Sequence, residues 1–368
     1  MPKTPNFPIF HRNLTRRSVL QGLAASASAA ALAPGLAHAA GEGLEDELIF
    51  ACNGGILEDL FRAAGDSFTK ATGVKVTYVI GTQMSHLAKI QVSKSSPDTD
   101  VVFSSGLSHA IGKGQDLFEK LDPALVTNAK DLYPNAVDPD DVGAMGSLTS
   151  IGMGYNTEKL NEIGMGTPTS WNDLWDPRLK GRVALCSFNV TWTQDFLVLI
   201  AKMNGGSEDN IQPGFDKIRE LKEMGNLAYI PSTPAEMENL LTQNLAWANA
   251  TASIRAYGLG DQGYPFTFLY PEEGASLYAN WFDIIKGAPH PKAAQAFVNH
   301  MLTPEAQLIM ARGWYGPTNK TVVLPEDLAE KAPYGAERIA SLVPIDRAKL
   351  NQNLDAWADQ WNREIESK

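Results

Sequence analysis

The sequence predicts an α/β fold with two lobes, each a mainly parallel sheet flanked by helices. Apolar strands alternate with amphipathic helices over residues 47–106, and the loops between them are short. A second alternating set occupies residues 150–270. Such alternation is typical of parallel sheets. The roughly 330 residues that follow a predicted N-terminal signal are enough for two separate cores.

In the first set, three apolar segments predict strands, namely ELIFAC, VKVTYVIG and TDVVFSSG. After the first strand, Leu57, Phe61 and Phe68 recur at helical spacing. The segment SHLAKIQVSK predicts the next helix. Ligands of parallel sheets bind beyond the carboxyl ends of the strands. We therefore expect Asn53 and Ser105, which lie at two such ends, to face a ligand.

Two further segments, SLTSIGMGYNTEKL and YANWFDIIKGAPHP, predict strands that cross between the lobes. The second lobe would then be inserted into the first. We predict residues 40–150 plus 282–325 for lobe I, and residues 151–281 plus 326–368 for lobe II. Two strand crossings between lobes form a hinge, with a cleft between the lobes.

Residues 1–39 predict an export signal. Arg16 and Arg17 precede an Ala-rich stretch that Pro34 interrupts, and AHA at 37–39 is a small-x-small cleavage site. Paired arginines at this position are typical of the twin-arginine pathway. No later segment has about 18 consecutive apolar residues. We therefore expect a soluble periplasmic protein.

The composition limits the partners of the exported chain. The signal carries four basic and no acidic residues, so its removal leaves 27 basic against 42 acidic residues, a net charge near −15. Nucleic acid and anionic membranes are therefore not expected partners. Cys52 and Cys186 each end an apolar strand-like run, which favours two buried free thiols over a disulfide.

No motif indicates catalysis or a cofactor. The run GLGDQG at 258–263 has dinucleotide-site spacing, but a strand-like YPFTF follows where that site requires a helix. The six histidines form no zinc-spaced pair with a cysteine or with each other. We predict no enzyme, no metal and no cofactor, although carboxylates could still meet in the fold.

Trp281 and Asp283 are the first candidates for ligand binding. They lie two apart in a strand-like run, so both side chains are predicted on one face. An aromatic face beside a carboxylate could hold a cationic ligand, or the pair could be core plus a surface acid.

Three other side chains are also candidates. Trp247 and Tyr315 lie near predicted strand ends or turns and could form aromatic walls. Arg255 could bind a ligand carboxylate, or it could pair with Glu272 or Glu273.

In their order and spacing, several segments resemble the extracellular solute-binding proteins of ABC importers, most closely the spermidine/putrescine-binding branch. They include TDVVFSSG, SWNDLWDPRLKGRVAL, LAWANAT, YPEEGASLYANWFDIIKGAPHPKAAQAFVNHMLTPEAQ and YGPTNK. The resemblance covers the mature chain. It implies a hinged, two-lobed periplasmic binding protein that holds a small organic solute between its lobes. An inner-membrane ABC permease is the implied partner, and we expect a monomer.

The resemblance also implies site residues. Trp247 and Trp281 would pack on the ligand, Asp283 would hold an amino group, and Tyr315 lies near another contact. With the strand-end residues, the full set of ligand-binding candidates is Trp247, Trp281, Asp283, Tyr315, Asn53, Ser105, Thr191 and Arg255.

The sequence departs from the polyamine-binding branch at several of these positions. Asn53 stands for an aromatic residue, Gly106 for a tyrosine, and Thr191 and Gln194 for two acids. Without those acids a second or third ammonium would lack a partner, which favours a single-amine ligand over a full polyamine. A zwitterionic amino acid, an aminophosphonate or a ferric complex is the alternative ligand. An exported two-lobed enzyme is the alternative of another class.

Overall fold

The computed structural model describes residues 43–54 and 56–367, so the predicted export signal lies outside the described residues. The strands are β1 (Glu47–Cys52), β2 (Lys75–Ile80), β3 (Val101–Ser105), β4 (Phe118–Glu119), β5 (Ala144–Asn156), β6 (Val183–Ala184), β7 (Leu227–Tyr229), β8 (Ala248–Ala252), β9 (Phe266–Leu269) and β10 (Ser276–Ile285). The helices are α1 (Ile56–Thr72), α2 (Gln83–Val92), α3 (Gly106–Gly114), α4 (Thr157–Glu162), α5 (Thr191–Met203), α6 (Gln212–Glu223), α7 (Pro234–Thr242), α8 (Ser253–Asp261), α9 (Pro291–Met301), α10 (Pro304–Ala311), α11 (Glu326–Lys331), α12 (Ala336–Ser341) and α13 (Arg347–Trp361).

These strands form one mixed sheet in the order β2-β1-β3-β10-β5-β8-β6-β7, with β4 paired to β10 and β9 paired to β5. Strands β2, β1 and β3 are parallel, and so are β8, β6 and β7. In the centre, β10 and β5 run antiparallel to their neighbours. The predicted α/β fold is confirmed, and the parallel pairing is confined to the two ends of the sheet.

Strand β5 joins two hydrophobic cores. Phe50 and Phe282 lie in the first core, and Trp171 lies in the second. Met145, near the start of β5, packs in the first core, whereas Met153 packs in the second. All 13 residues of β5 are buried, because structure covers both of its faces. The residue boundaries of the two lobes stay a prediction.

The ends of β2 and β3 lead directly into helices. The hydroxyl of Thr82 accepts the N–H of Ser85 at the start of α2, and the hydroxyl of Ser105 accepts the N–H of Ser108 at the start of α3. In both turns the third residue returns a hydrogen bond, which completes a capping box. These short caps place the helix N-termini at the carboxyl edge of the parallel strands, as the sequence predicts.

Two other sequence predictions are confirmed. Cys52 and Cys186 are buried and free, and burial raises the pKa of each thiol to about 12. The run at 258–263 lies mostly in α8, and strand β9 follows it. Among the described residues, no helix is both long enough and apolar enough to cross a membrane.

Candidate functional site

Tyr278 lies near the start of β10, opposite Thr149 of β5. Burial raises the pKa of its phenol, and the charge of Arg347 and the polar side chains of Ser105 and Thr191 act to lower it. Ser105 ends β3, on the side of the first core, and Thr191 begins α5, on the side of the second core. Two predicted ligand-binding residues thus lie near one tyrosine. We call Tyr278, Ser105, Thr191 and Tyr315 the strand-end cluster.

Tyr315 adds a second aromatic ring to this cluster. Burial raises the pKa of its phenol, the charge of Arg255 opposes that rise, and Tyr278 adds to it. Paired backbone hydrogen bonds of 2.9 and 2.8 Å between Leu148 and Gly316 fix the segment against β5. The ring is only 5% exposed, so its position is defined by packing.

Arg255 extends from α8 and forms an ion pair with Glu238 at 2.8 Å. The predicted pairing of Arg255 with Glu272 or Glu273 was wrong, because α7 presents Glu238 to α8. Glu273 instead accepts hydrogen bonds from Ser170 and from the backbone of Trp171. The side chains of Arg255 and Glu238 are 49% and 35% exposed. Such an exposed pair is weak, so a ligand could displace it.

Asn53 follows β1 at the same edge of the sheet. Its Oδ1 is buried, and no described residue donates a hydrogen bond to it. A buried acceptor without a donor is costly, so this oxygen is suited to a ligand N–H or to a water molecule.

Asp195, the fifth residue of α5, is fully buried and carries an ion pair near the cluster. Arg347, the first residue of α13, donates hydrogen bonds to both carboxylate oxygens of Asp195, and its Nη2 lies 2.8 Å from Oδ2. The hydroxyl of Ser276 donates to Oδ2 at 2.6 Å. The guanidinium also lies 5.5 Å from the centre of the Tyr278 ring. Burial disfavours its charge, but Asp195 outweighs burial and raises the pKa of Arg347.

The family of the chain follows from comparison with known proteins. The sequence profile described as "Bacterial extracellular solute-binding protein" matches residues 95–340, well over half of the chain. The chain belongs to this family. It is the solute-binding component of an ABC importer, and its family members act in transport outside the cytoplasm.

Individual relatives of this solute-binding protein are distant. The spermidine/putrescine-binding periplasmic protein of Escherichia coli is 25% identical over 288 residues, which cover 73% of this chain and 78% of that protein. A Salmonella paratyphi A protein, named as a candidate 2-aminoethylphosphonate-binding periplasmic protein, is 24% identical over 326 residues, 84% of this chain and 88% of the relative. A crystal structure of an ABC transporter protein from Clostridium perfringens shares the fold, with a TM-score of 0.74 and 24% identity over 86% of this chain and 99% of that one.

In this solute-binding protein, Trp281 and Asp283 lie on one face of β10, as their spacing predicts, and both contact His109 of α3. The indole stacks on the imidazole with ring centres 4.0 Å apart. The Nδ1 of His109 lies 2.8 Å from Oδ1 of Asp283, which is fully buried. Asp138 approaches the other ring nitrogen at 3.5 Å. The partner of the Asp283 carboxylate is therefore His109, a side chain of the protein itself.

The stability of the solute-binding protein should depend on the charge of His109. Burial of the ring opposes the charge, but Asp283 and Asp138 outweigh burial and raise the pKa of His109. Because the pKa of His109 is higher in the folded than in the unfolded state, the charged ring stabilises the fold. This stabilisation is complete at pH values below the ordinary histidine pKa of about 6.5, and it is lost as the pH rises through the pKa of the folded state. Lys113 also faces this group, through its ion pair with Asp138, and stays charged throughout.

We therefore expect the free energy of unfolding of the wild type to exceed that of His109→Gln most at pH 5.5–6, and the difference to shrink toward pH 8.5. Urea titrations at each pH measure it. His86 and His300, whose pKa values burial lowers, are present in both proteins and cancel in the difference. A difference that grows with pH would contradict the assignment.

Trp247 is not brought to the strand-end cluster. It precedes β8, at the end of the strand opposite Ala252, roughly 16 Å away along an extended chain. Its indole N–H donates to the carbonyl of Asn244 at 3.0 Å, and the guanidinium of Arg182 covers its ring at 4.5 Å. These contacts fix the indole in place, and its role in ligand binding stays a prediction.

Sequence reasoning missed Tyr278, Asp195 and Arg347. One signal was present for Asp195, because it is a lone acid at the start of the apolar run FLVLIA and would be buried without a charge unless it were paired. Arg347 had no such local signal. Tyr278 stands in the segment that was singled out, three residues before Trp281.

Proposed function

We propose that this solute-binding protein captures a small amine-containing organic solute at the strand-end cluster and delivers it to an inner-membrane ABC permease. The twin-arginine signal exports it to the periplasm, and it works as a monomer. Binding involves no covalent chemistry. The lobes close over the solute, which strengthens its polar contacts by excluding water.

The observation that carries this proposal is the position of Tyr278 near Ser105 and Thr191, beside the guanidinium of Arg347, which lies against Gly106 of α3 and binds Asp195 of α5. One hydroxyl comes from a strand of the first core, and the other from a helix of the second core. A solute held there contacts both sides at once, so binding favours the closed arrangement over an open one.

An amine is supported by the chemistry of the cluster and by the relatives. Aromatic rings bind cations through their faces, and Tyr278 already does so with Arg347. Oδ1 of Asn53 can accept an N–H. The named ligands of the Escherichia coli and Salmonella relatives, spermidine, putrescine and 2-aminoethylphosphonate, all carry an amino group.

The test is thermal unfolding of ligand-stripped protein with a panel of putrescine, spermidine, 2-aminoethylphosphonate and amino acids. A ligand at about 100 times its Kd adds ~2.7 kcal/mol, which raises the Tm of a chain of this size by about 4 °C. We expect such a rise with at least one amine. Tyr278→Ala should reduce the rise below about 1 °C, because it removes the ring near the two hydroxyls.

The matched control is Tyr264→Ala, because Tyr264 is 40% exposed and lies outside the cluster. It should keep the full ligand-dependent rise. A rise that survives in Tyr278→Ala would place the solute elsewhere. The absence of a rise with every member of the panel would refute the ligand class and leave the transport role intact.

A further inference from the structure

A cation already occupies one position beside the strand-end cluster. The guanidinium of Arg347 has the carboxylate of Asp195 on one side and the ring of Tyr278 at 5.5 Å. A carboxylate and an aromatic face are the two groups that bind an ammonium ion most strongly. The guanidinium of Arg347 therefore occupies the position between Asp195 and Tyr278 that suits a cation.

The position is shaped for this side chain. Arg347 is 13% exposed and Asp195 is fully buried, so solvent screens the pair little. The Cγ of Arg347 lies 3.6 Å from where a Cβ at Gly106 would stand, an ordinary van der Waals distance, so the side chain packs against the start of α3. Both oxygens of Asp195 already accept hydrogen bonds, from the hydroxyl of Ser276 and from two guanidinium nitrogens.

We infer that Arg347 is a specificity-determining residue, which neutralises Asp195 and so excludes solutes that carry a second ammonium group. The inference rests on the proposed amine ligand. Asp195 is the buried acid beside Tyr278, and Arg347 forms a bidentate ion pair with it. Near Tyr315, Glu238 is likewise paired, with Arg255. With both acids already paired, a second ammonium group would find no free carboxylate here, and a buried unpaired charge is strongly disfavoured.

The test compares putrescine with n-butylamine, which have the same carbon chain and differ by one ammonium group. Calorimetric titration gives the ratio of their affinities for the wild type, for Arg347→Met and for the double variant Arg347→Met/Asp195→Asn. Methionine keeps much of the apolar stem of arginine without its charge. The wild type should bind putrescine no more tightly than butylamine.

In Arg347→Met the free carboxylate of Asp195 should favour putrescine, so the affinity ratio should rise at least about tenfold. The double variant has no free carboxylate, and its ratio should return to the wild-type value. Equal gains in both variants, or no gain in folded Arg347→Met, would overturn the inference. If Arg347→Met does not fold alone, folding in putrescine but not in butylamine supports the inference, and folding in neither overturns it.

The same measurements separate this inference from the proposed function. A wild type that prefers putrescine tenfold over butylamine overturns the role of Arg347 and leaves the amine ligand intact. A wild type that binds no amine, together with an Arg347→Met variant that gains putrescine, refutes the amine ligand and supports the role of Arg347.

Discussion

Replacing Asp283 by alanine should lower the free energy of unfolding by about 3–5 kcal/mol, because it removes one member of a buried ion pair. Asp283 is fully buried and lies 2.8 Å from Nδ1 of His109. Without it, the charge of His109 is left with the more distant Asp138 at 3.5 Å. Urea unfolding at pH 6, where His109 is charged, measures the loss.

Two control variants test whether the loss of stability comes from the buried ion pair. Asp283→Asn should lower the free energy of unfolding by less than Asp283→Ala does, because the amide oxygen occupies the same space and can still accept the N–H of His109. Glu162→Ala removes an exposed partner of Lys159 and should leave the free energy nearly unchanged. If Asp283→Ala costs as little as Glu162→Ala, the buried pair contributes nothing to stability.

The same variants test the role that the sequence predicts for Asp283. If Asp283 held the amino group of the solute, folded Asp283→Asn would lose the ligand-dependent rise in Tm. The observed contact with His109 leads us to expect that the rise is kept, since the carboxylate is already paired inside the first core.

Replacing Gly146 by alanine should destabilise the protein by about 3 kcal/mol or more. Gly146 is the residue that β5 inserts at an irregularity, where Asn280 pairs with Ser147 and Trp281 pairs with Met145. A Cβ there would lie 1.9 Å from Cε2 of Phe282. That ring is fully buried among other phenylalanine rings and has no space to move into.

The cause can be isolated with two further variants. Gly114→Ala, where nothing lies within 4 Å of the new Cβ, should change the free energy of unfolding by less than about 0.5 kcal/mol. Phe282→Leu should cost less in the Gly146→Ala background than in the wild type, because leucine relieves the overlap. Additive costs would show that the overlap is not the source of the instability.

Local features of this fold were predictable because they depend on neighbours in sequence. Helix α1 follows from the spacing of Leu57, Phe61 and Phe68. The caps at Thr82 and Ser105 each involve a residue three positions along the chain. The shared face of Trp281 and Asp283 follows from the twofold repeat of a strand.

The partners of the charged side chains were not predictable. Arg255 was expected beside Glu272 or Glu273, but the packing of α7 against α8 presents Glu238. Asp283 was expected to hold a ligand, but α3 brings His109 to it across 174 positions. Such contacts depend on which elements pack together, and the sequence of either element alone does not contain that information.

By itself the sequence determined the α/β class, the residues at the strand ends and the two buried thiols, because periodicity and turn chemistry are local. The tertiary structure alone decided that Tyr278 lies beside Arg347, and that Arg347 neutralises Asp195 across 152 positions. The physical reason is that burial makes an unpaired charge costly, so the fold selects partners by proximity in space, whatever their distance along the chain.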